Sequence, residues 1–219
     1  MSASLPPDLR ARILAAAKSE PSPTRPETQR RTAIAIAIGY AISVVVFALL
    51  GGADVTHRPM ELLLTTALGW GALSIACTLS ALARGRSMLG LSRELLVGLA
   101  LAVAPVLFAW CMMWAHVYET PPMVIPSWAH PICFVATLLL ALGPLAAFAY
   151  VRRRSDPVHP AATGALMGAA AGAWGSFLID LHCPATTAFH VGVGHALPAA
   201  VMGALGAWIG VRFLAVRPR

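Results

Sequence analysis

Residues 95–115 read LLVGLALAVAPVLFAWCMMWA, with no charged side chain among them. A helix needs roughly 20 mostly apolar residues to cross a hydrocarbon core of about 30 Å. This stretch meets that length. The stretches 33–50, 62–83, 131–151, 161–181 and 195–216 follow the same pattern. The first is the shortest, and Gly51, Gly52 and Ala53 are at hand to extend it. The expected fold is all-α: a polytopic membrane protein whose six transmembrane helices bundle together over residues 33–216.

Composition agrees, with 58% hydrophobic residues, 11% charged residues and a mean hydropathy of +0.73. A soluble domain carries about 25% charged residues. The first span is not read as a cleavable signal peptide, because it follows a 32-residue N-terminal segment and no Ala-x-Ala-like site comes after it. The net charge of +7 and pI of 10.1 invite a nucleic-acid reading. The positions of the charges argue against it.

Fifteen of the 16 Lys and Arg residues fall in the N-terminal segment, in loops 84–94 and 152–160, and at the C-terminal end. An even-numbered bundle puts all four segments on one side, leaving Arg58 alone on the other. Basic flanks stay cytoplasmic, so both termini are expected inside. The organisation expected is a cytoplasmic segment over 1–32, the membrane domain over 33–216 and a cytoplasmic tail over 217–219.

Histidine and cysteine distribute the other way. His57, His116, His130, His182, His190 and His195 fall at or near the outer face, as do Cys111, Cys133 and Cys183, whereas His159 and Cys77 do not. Thiols in an oxidising compartment can pair, and thiolate with imidazole also suits zinc or copper. Cys77 and Cys111 read as small apolar fillers, and His57, His116 and His130 as interfacial anchors. Cys133, Cys183, His190 and His195 read as signal-sensing residues, with Cys183, His190 and His195 the candidate metal ligands. No C-x-x-C or H-E-x-x-H pattern specifies a metal, so thiol redox chemistry is preferred and no cofactor is assigned.

Asp180 is the one acid within span five, either a functional group or one that reaches water at the span's end. Glu61 and Glu94 at span boundaries read as solvated. Gly164, Gly168 and Gly172, then Gly206 and Gly210, form small-residue ladders that let helices approach closely. Pro105, Pro144 and Pro198 are expected to kink spans three, four and six. No phosphate-binding loop or paired cytoplasmic carboxylates occur, so the chain is not expected to be an enzyme.

In the N-terminal segment, residues 8–19 read as a short helix with Leu9 and Ile13 on one face, and Pro21, Pro23 and Pro26 read as an extended linker up to the membrane. A dozen residues are marginal as a helix alone in water, which suits a docking element that folds on a partner as well as it suits a frayed terminus.

Six spans with both ends inside, a brief N-terminal helix, Cys133 opening span four and Cys183 after span five resemble the bacterial NrsF-like membrane anti-sigma factors. The run Cys183, His190, His195 and Pro198 adds to the resemblance, while Cys77 and Cys111 are extra to it. The resemblance implies an inner-membrane protein that sequesters an extracytoplasmic-function sigma factor, without binding nucleic acid directly. It also implies release on an oxidative, metal or light-derived singlet-oxygen signal, as in members controlling light-induced carotenoid synthesis. Leu9 and Ile13 would then bind the sigma factor. The competing class is a small membrane enzyme or transporter using an outer Cys/His metal site, against which stands the scarcity of charges within the spans.

Overall fold

Among the described residues, six helices long and apolar enough to cross a bilayer follow one another. They are α1 (Arg25–Leu49), α2 (Met60–Leu82), α3 (Arg93–Val117), α4 (Ala129–Arg152), α5 (Pro160–His182) and α6 (Ala188–Leu214). The computed structural model describes residues 8, 11, 15, 25–54, 58–82, 91–119, 126–153 and 158–215, and no strand occurs among them. Met1–Ile34 and Ala35–Arg219 form separate compact units.

In the first unit, Asp8, Ala11 and Ala15 are helical and exposed, while Leu9 and Ile13 lie outside the described residues. The expected extended linker is helical from Arg25 onward. Pro26 sits in the first helical turn, where its missing N–H leaves no bond unmade. Glu27 and Arg31, one turn apart, pair at 2.6 Å.

At its other end α1 stops at Leu49 instead of running on through the glycines. Gly51 and Gly52 take φ of 112° and 68°, a left-handed geometry that closes the helix. The Gly52 N–H donates to the Phe47 carbonyl at 3.0 Å, and the Asp54 N–H to that of Leu181 at 3.0 Å. The chain leaving α1 is thereby tied to the end of α5.

The centre of the second unit is α5, 83% buried over its most apolar stretch. It packs against α2, α3, α4 and α6. Its sequence explains the position: Gly and Ala dominate PAATGALMGAAAGAWGSFLIDLH, so neighbours approach from every side. A β-carbon at Gly168 would strike the Met202 carbonyl, and one at Gly164 that of Gly206, so α5 and α6 meet backbone to backbone. Gly39 and Gly143 make the corresponding approach between α1 and α4.

Short polar side chains bond across the helices. Ser43 donates to the Leu140 carbonyl at 2.6 Å, and Ser74 to that of Ala170 at 2.8 Å. Such bonds contribute about 0.6 kcal/mol each within a membrane. Leu49, Leu68, Leu79 and Leu101 stand exposed on the exterior, the surface lipid requires and water penalises. Glu61 and Glu94 are exposed, as their boundary positions suggested.

Candidate functional site

The end of the bundle where α5 finishes and α4 and α6 begin collects the reactive side chains. The sequence AHPIC opens α4, and Pro131 is harmless there because first-turn N–H groups have no helical partner. His130 and Cys133, three residues apart, share a helix face. Cys183 caps α5 in an extended conformation, which turns the chain toward α6.

The start of α6 departs from α-helical winding. Val191–Ala196 is π-helical, with the Leu197 N–H donating to the Gly192 carbonyl. In an α-helix, residues five apart point about 140° away from each other. The wider i→i+5 winding of a π turn brings them toward one face. His190 and His195 are five apart, and their ring centroids lie 5.2 Å from each other. Gly194 fits the crowded interior of this turn, since a β-carbon there would meet His190 Nε2 at 3.2 Å.

Cys133, Cys183, His190 and His195 are buried, with one potential ligand atom each, all within 4.8 Å of one another. The thiols lie 3.8 Å apart, and Cys183 Sγ is 3.1 Å from His190 Nε2. His130 Nδ1 and His190 Nδ1 are hydrogen-bonded at 2.8 Å. Neither nitrogen of His195 has a hydrogen-bond partner. The Cys133 thiol, and then burial, push the Cys183 thiol up from its ordinary range, while His190 and His195 pull it down. Such a thiol reacts slowly until a neighbour takes its proton, and His190 Nε2 is placed to do so.

Behind the cluster lies a buried ion pair. Arg58 Nη1 donates to Asp180 Oδ1 at 3.3 Å, and Nη2 donates to Oδ2 at 3.3 Å and to the Asp180 carbonyl at 3.0 Å. Thr66 donates to Asp180 Oδ2 at 2.7 Å. On the cluster side, His195 Nδ1 stands 3.7 Å from Asp180 Oδ1. Asp180 therefore does not reach water, and Arg58 is buried with it. The spans are not free of buried charge either, which corrects one ground for setting the transporter class aside.

The four residues assigned to sensing come together. Cys111 and Cys77 are buried but stand outside the cluster, and His116 is exposed. His57 lies outside the described residues. His130, taken for an anchor, belongs to the site through His190. Arg58 and Thr66 were not foreseen, although the lone cation and the lone span acid at one end of the bundle were the signal for the pair.

The family described as negative regulator of sigma F matches residues 15–215. The chain belongs to this family, NrsF. No curated protein and no solved structure matches it. Membership of NrsF makes the chain a negative regulator of a sigma factor.

Proposed function

We propose that this NrsF-family protein holds an extracytoplasmic-function sigma factor at the bacterial inner membrane and releases it when the Cys133/Cys183 pair is oxidised. Residues 1–32 lie in the cytoplasm in this reading, with Leu9 and Ile13 on the helix face that binds the sigma factor. The cluster faces the outer compartment, at the boundary of the lipid bilayer. The observation that carries the reading is the pair of buried thiols 3.8 Å apart beside an imidazole.

A peroxide-class oxidant takes two electrons and two protons from the thiols. The S–S bond forms, the O–O bond breaks, and the products are the disulfide, an alcohol and water. Joining the sulfurs pulls the start of α4 toward the end of α5. A bundle with two packings then couples that movement to the cytoplasmic segment. Singlet oxygen has further targets in Cys111, Met112, Met113, Trp114 and His116.

Target-gene reporters in cells carrying Cys133→Ser, Cys183→Ser or Cys77→Ser test the reading. Each of the first two changes is expected to lock the response to a thiol oxidant, and Cys77→Ser to leave it intact. Normal induction in both of the first two variants overturns the thiol receiver. Leu9→Asp with Ile13→Asp is expected to abolish sigma-factor capture while membrane insertion stays normal, and capture by that double variant overturns the docking face.

A further inference from the structure

We propose that the resting state of this cluster is a metal centre. Cys133 Sγ, Cys183 Sγ, His190 Nε2 and His195 Nε2 ligate one zinc-class ion, with Asp180 and His130 orienting the two imidazoles. The proposal rests on the receiver reading above only for its consequence, since the ligand set stands on its own geometry.

The thiol separation is the first observation. Two thiolates bound tetrahedrally to zinc at about 2.3 Å stand about 3.8 Å from each other. Cys133 and Cys183 stand 3.8 Å apart. Two sulfurs in a disulfide are about 2.05 Å apart, so the side chains rest as a hydrogen-bonded thiol pair at a separation that a shared cation would also set. The widest separation among the four ligand atoms is 4.8 Å. A contraction of about 1 Å closes the tetrahedron.

The second observation is His195. This imidazole is fully buried, and neither ring nitrogen has a hydrogen-bond partner. Buried polar atoms are normally paired. Nδ1 looks toward Asp180 Oδ1 at 3.7 Å, which leaves Nε2 for the cluster. A carboxylate behind the far nitrogen of a metal-bound histidine is the usual outer-layer arrangement, because it fixes the ring and raises its basicity. His190 repeats the pattern: Nδ1 is held by His130 at 2.8 Å while Nε2 faces Cys183 Sγ at 3.1 Å.

The third observation is the ion pair. Arg58 neutralises Asp180 with two hydrogen bonds to the carboxylate, so Asp180 orients His195 without adding a net charge to the site. Two thiolates and two neutral imidazoles then leave a divalent ion's charge balanced, as in closed structural zinc sites. The consequence is that a peroxide-class oxidant, taking two electrons from the thiolates and a proton from water as its O–O bond breaks to give an alcohol and two hydroxide ions, joins the sulfurs as a disulfide, removes half the ligands and expels the ion.

Full-length protein purified in detergent under reducing conditions tests this. Bound metal is measured by atomic emission after incubation with zinc(II), and cobalt(II) is titrated as a spectroscopic substitute. One zinc per chain is expected, with thiolate-to-cobalt charge transfer and tetrahedral ligand-field bands. Cys133→Ser and Cys183→Ser are expected to abolish both signals, and Cys77→Ser to preserve them. Asp180→Asn keeps the shape of the side chain and is expected to weaken zinc by about 10–100-fold. Helicity by circular dichroism identifies any variant that fails to fold.

No bound zinc in folded wild-type protein overturns the proposal, and so does binding that persists in both cysteine variants. The two readings fail separately. If zinc is absent while the cysteine variants still lock induction, the metal centre falls and the thiol receiver stands. If zinc binds through the cysteines while the variants induce normally, the receiver falls and the centre is structural.

Discussion

The pair α5 and α6 is two different structures along its length. Between Pro160 and Gly172 of α5 and the facing part of α6, backbone lies on backbone, with Gly164, Gly168, Gly206 and Gly210 leaving no room for a side chain. Toward Asp180 the same helices carry Ser176, Asp180, Cys183, His190 and His195, and α6 widens into a π turn. The glycine half holds the helices at a fixed separation by shape alone. The polar half holds a set of partly satisfied donors and acceptors that a proton, an electron pair or a cation can rearrange. In the proposed receiver reading, a signal at the polar end meets a rigid frame at the other, which suits a lever better than a uniformly packed bundle does.

Reporter fusions sharpen this comparison by assigning each half to a compartment, and their effect is all or none. Fusions after residues 90, 156 and 219 are expected to report cytoplasm, and those after 56, 122 and 188 the outside. An outside signal at 156 reverses the two ends and puts the Cys/His cluster in a reducing compartment.

Asp180→Ala strikes the polar half hardest, because Arg58 then stays buried without a counter-charge. A loss of about 3–5 kcal/mol is expected, read as thermal unfolding in detergent. Pairing it with Arg58→Met is expected to recover much of that loss. No recovery would mean that Asp180 acts through Thr66 and His195 instead.

Gly168→Ala breaks the other half, driving a β-carbon into the Met202 carbonyl. Overpacking of this kind costs about 1–3 kcal/mol. Crosslinking of Cys133 to Cys183 by a bifunctional thiol reagent is expected to persist in this variant. Its disappearance would show that the glycine seam sets the geometry of the cluster.

The smallest effect is expected from Ser176→Ala, which removes the 2.7 Å bond to the His195 carbonyl. About 0.6 kcal/mol is the expected loss in unfolding measurements. A loss approaching that of Asp180→Ala would assign the shape of the π turn to Ser176 and not to the ion pair.

Much of this architecture was legible from the chain. Hydropathy located all six helices, because the demand of lipid for about 20 apolar residues is local in sequence. The interior boundaries were less legible. α1 ends early because two glycines adopt positive φ, and α6 begins early because His190 and Val191 continue the helix through a π turn that no hydropathy window detects. The cluster of Cys133, Cys183, His190 and His195 was visible because rare residue types gathered at one predicted interface. His130 was read as an anchor and Arg58 was only counted in the charge balance, since each had an ordinary place when taken singly.

The sequence by itself determined the class of protein, the number of spans, the small-residue seams and the gathering of thiols and imidazoles toward one end of the bundle. Each of these follows from composition within a single stretch or from counting along alternating loops. Only the tertiary structure decided that Arg58 neutralises Asp180, that Asp180 stands behind His195, and that Cys111 stays out of the cluster while His130 enters it. Those pairings depend on which helices are neighbours and on the rotation of α6 about its axis. A π turn alters that rotation without leaving a pattern that residue spacing can reveal.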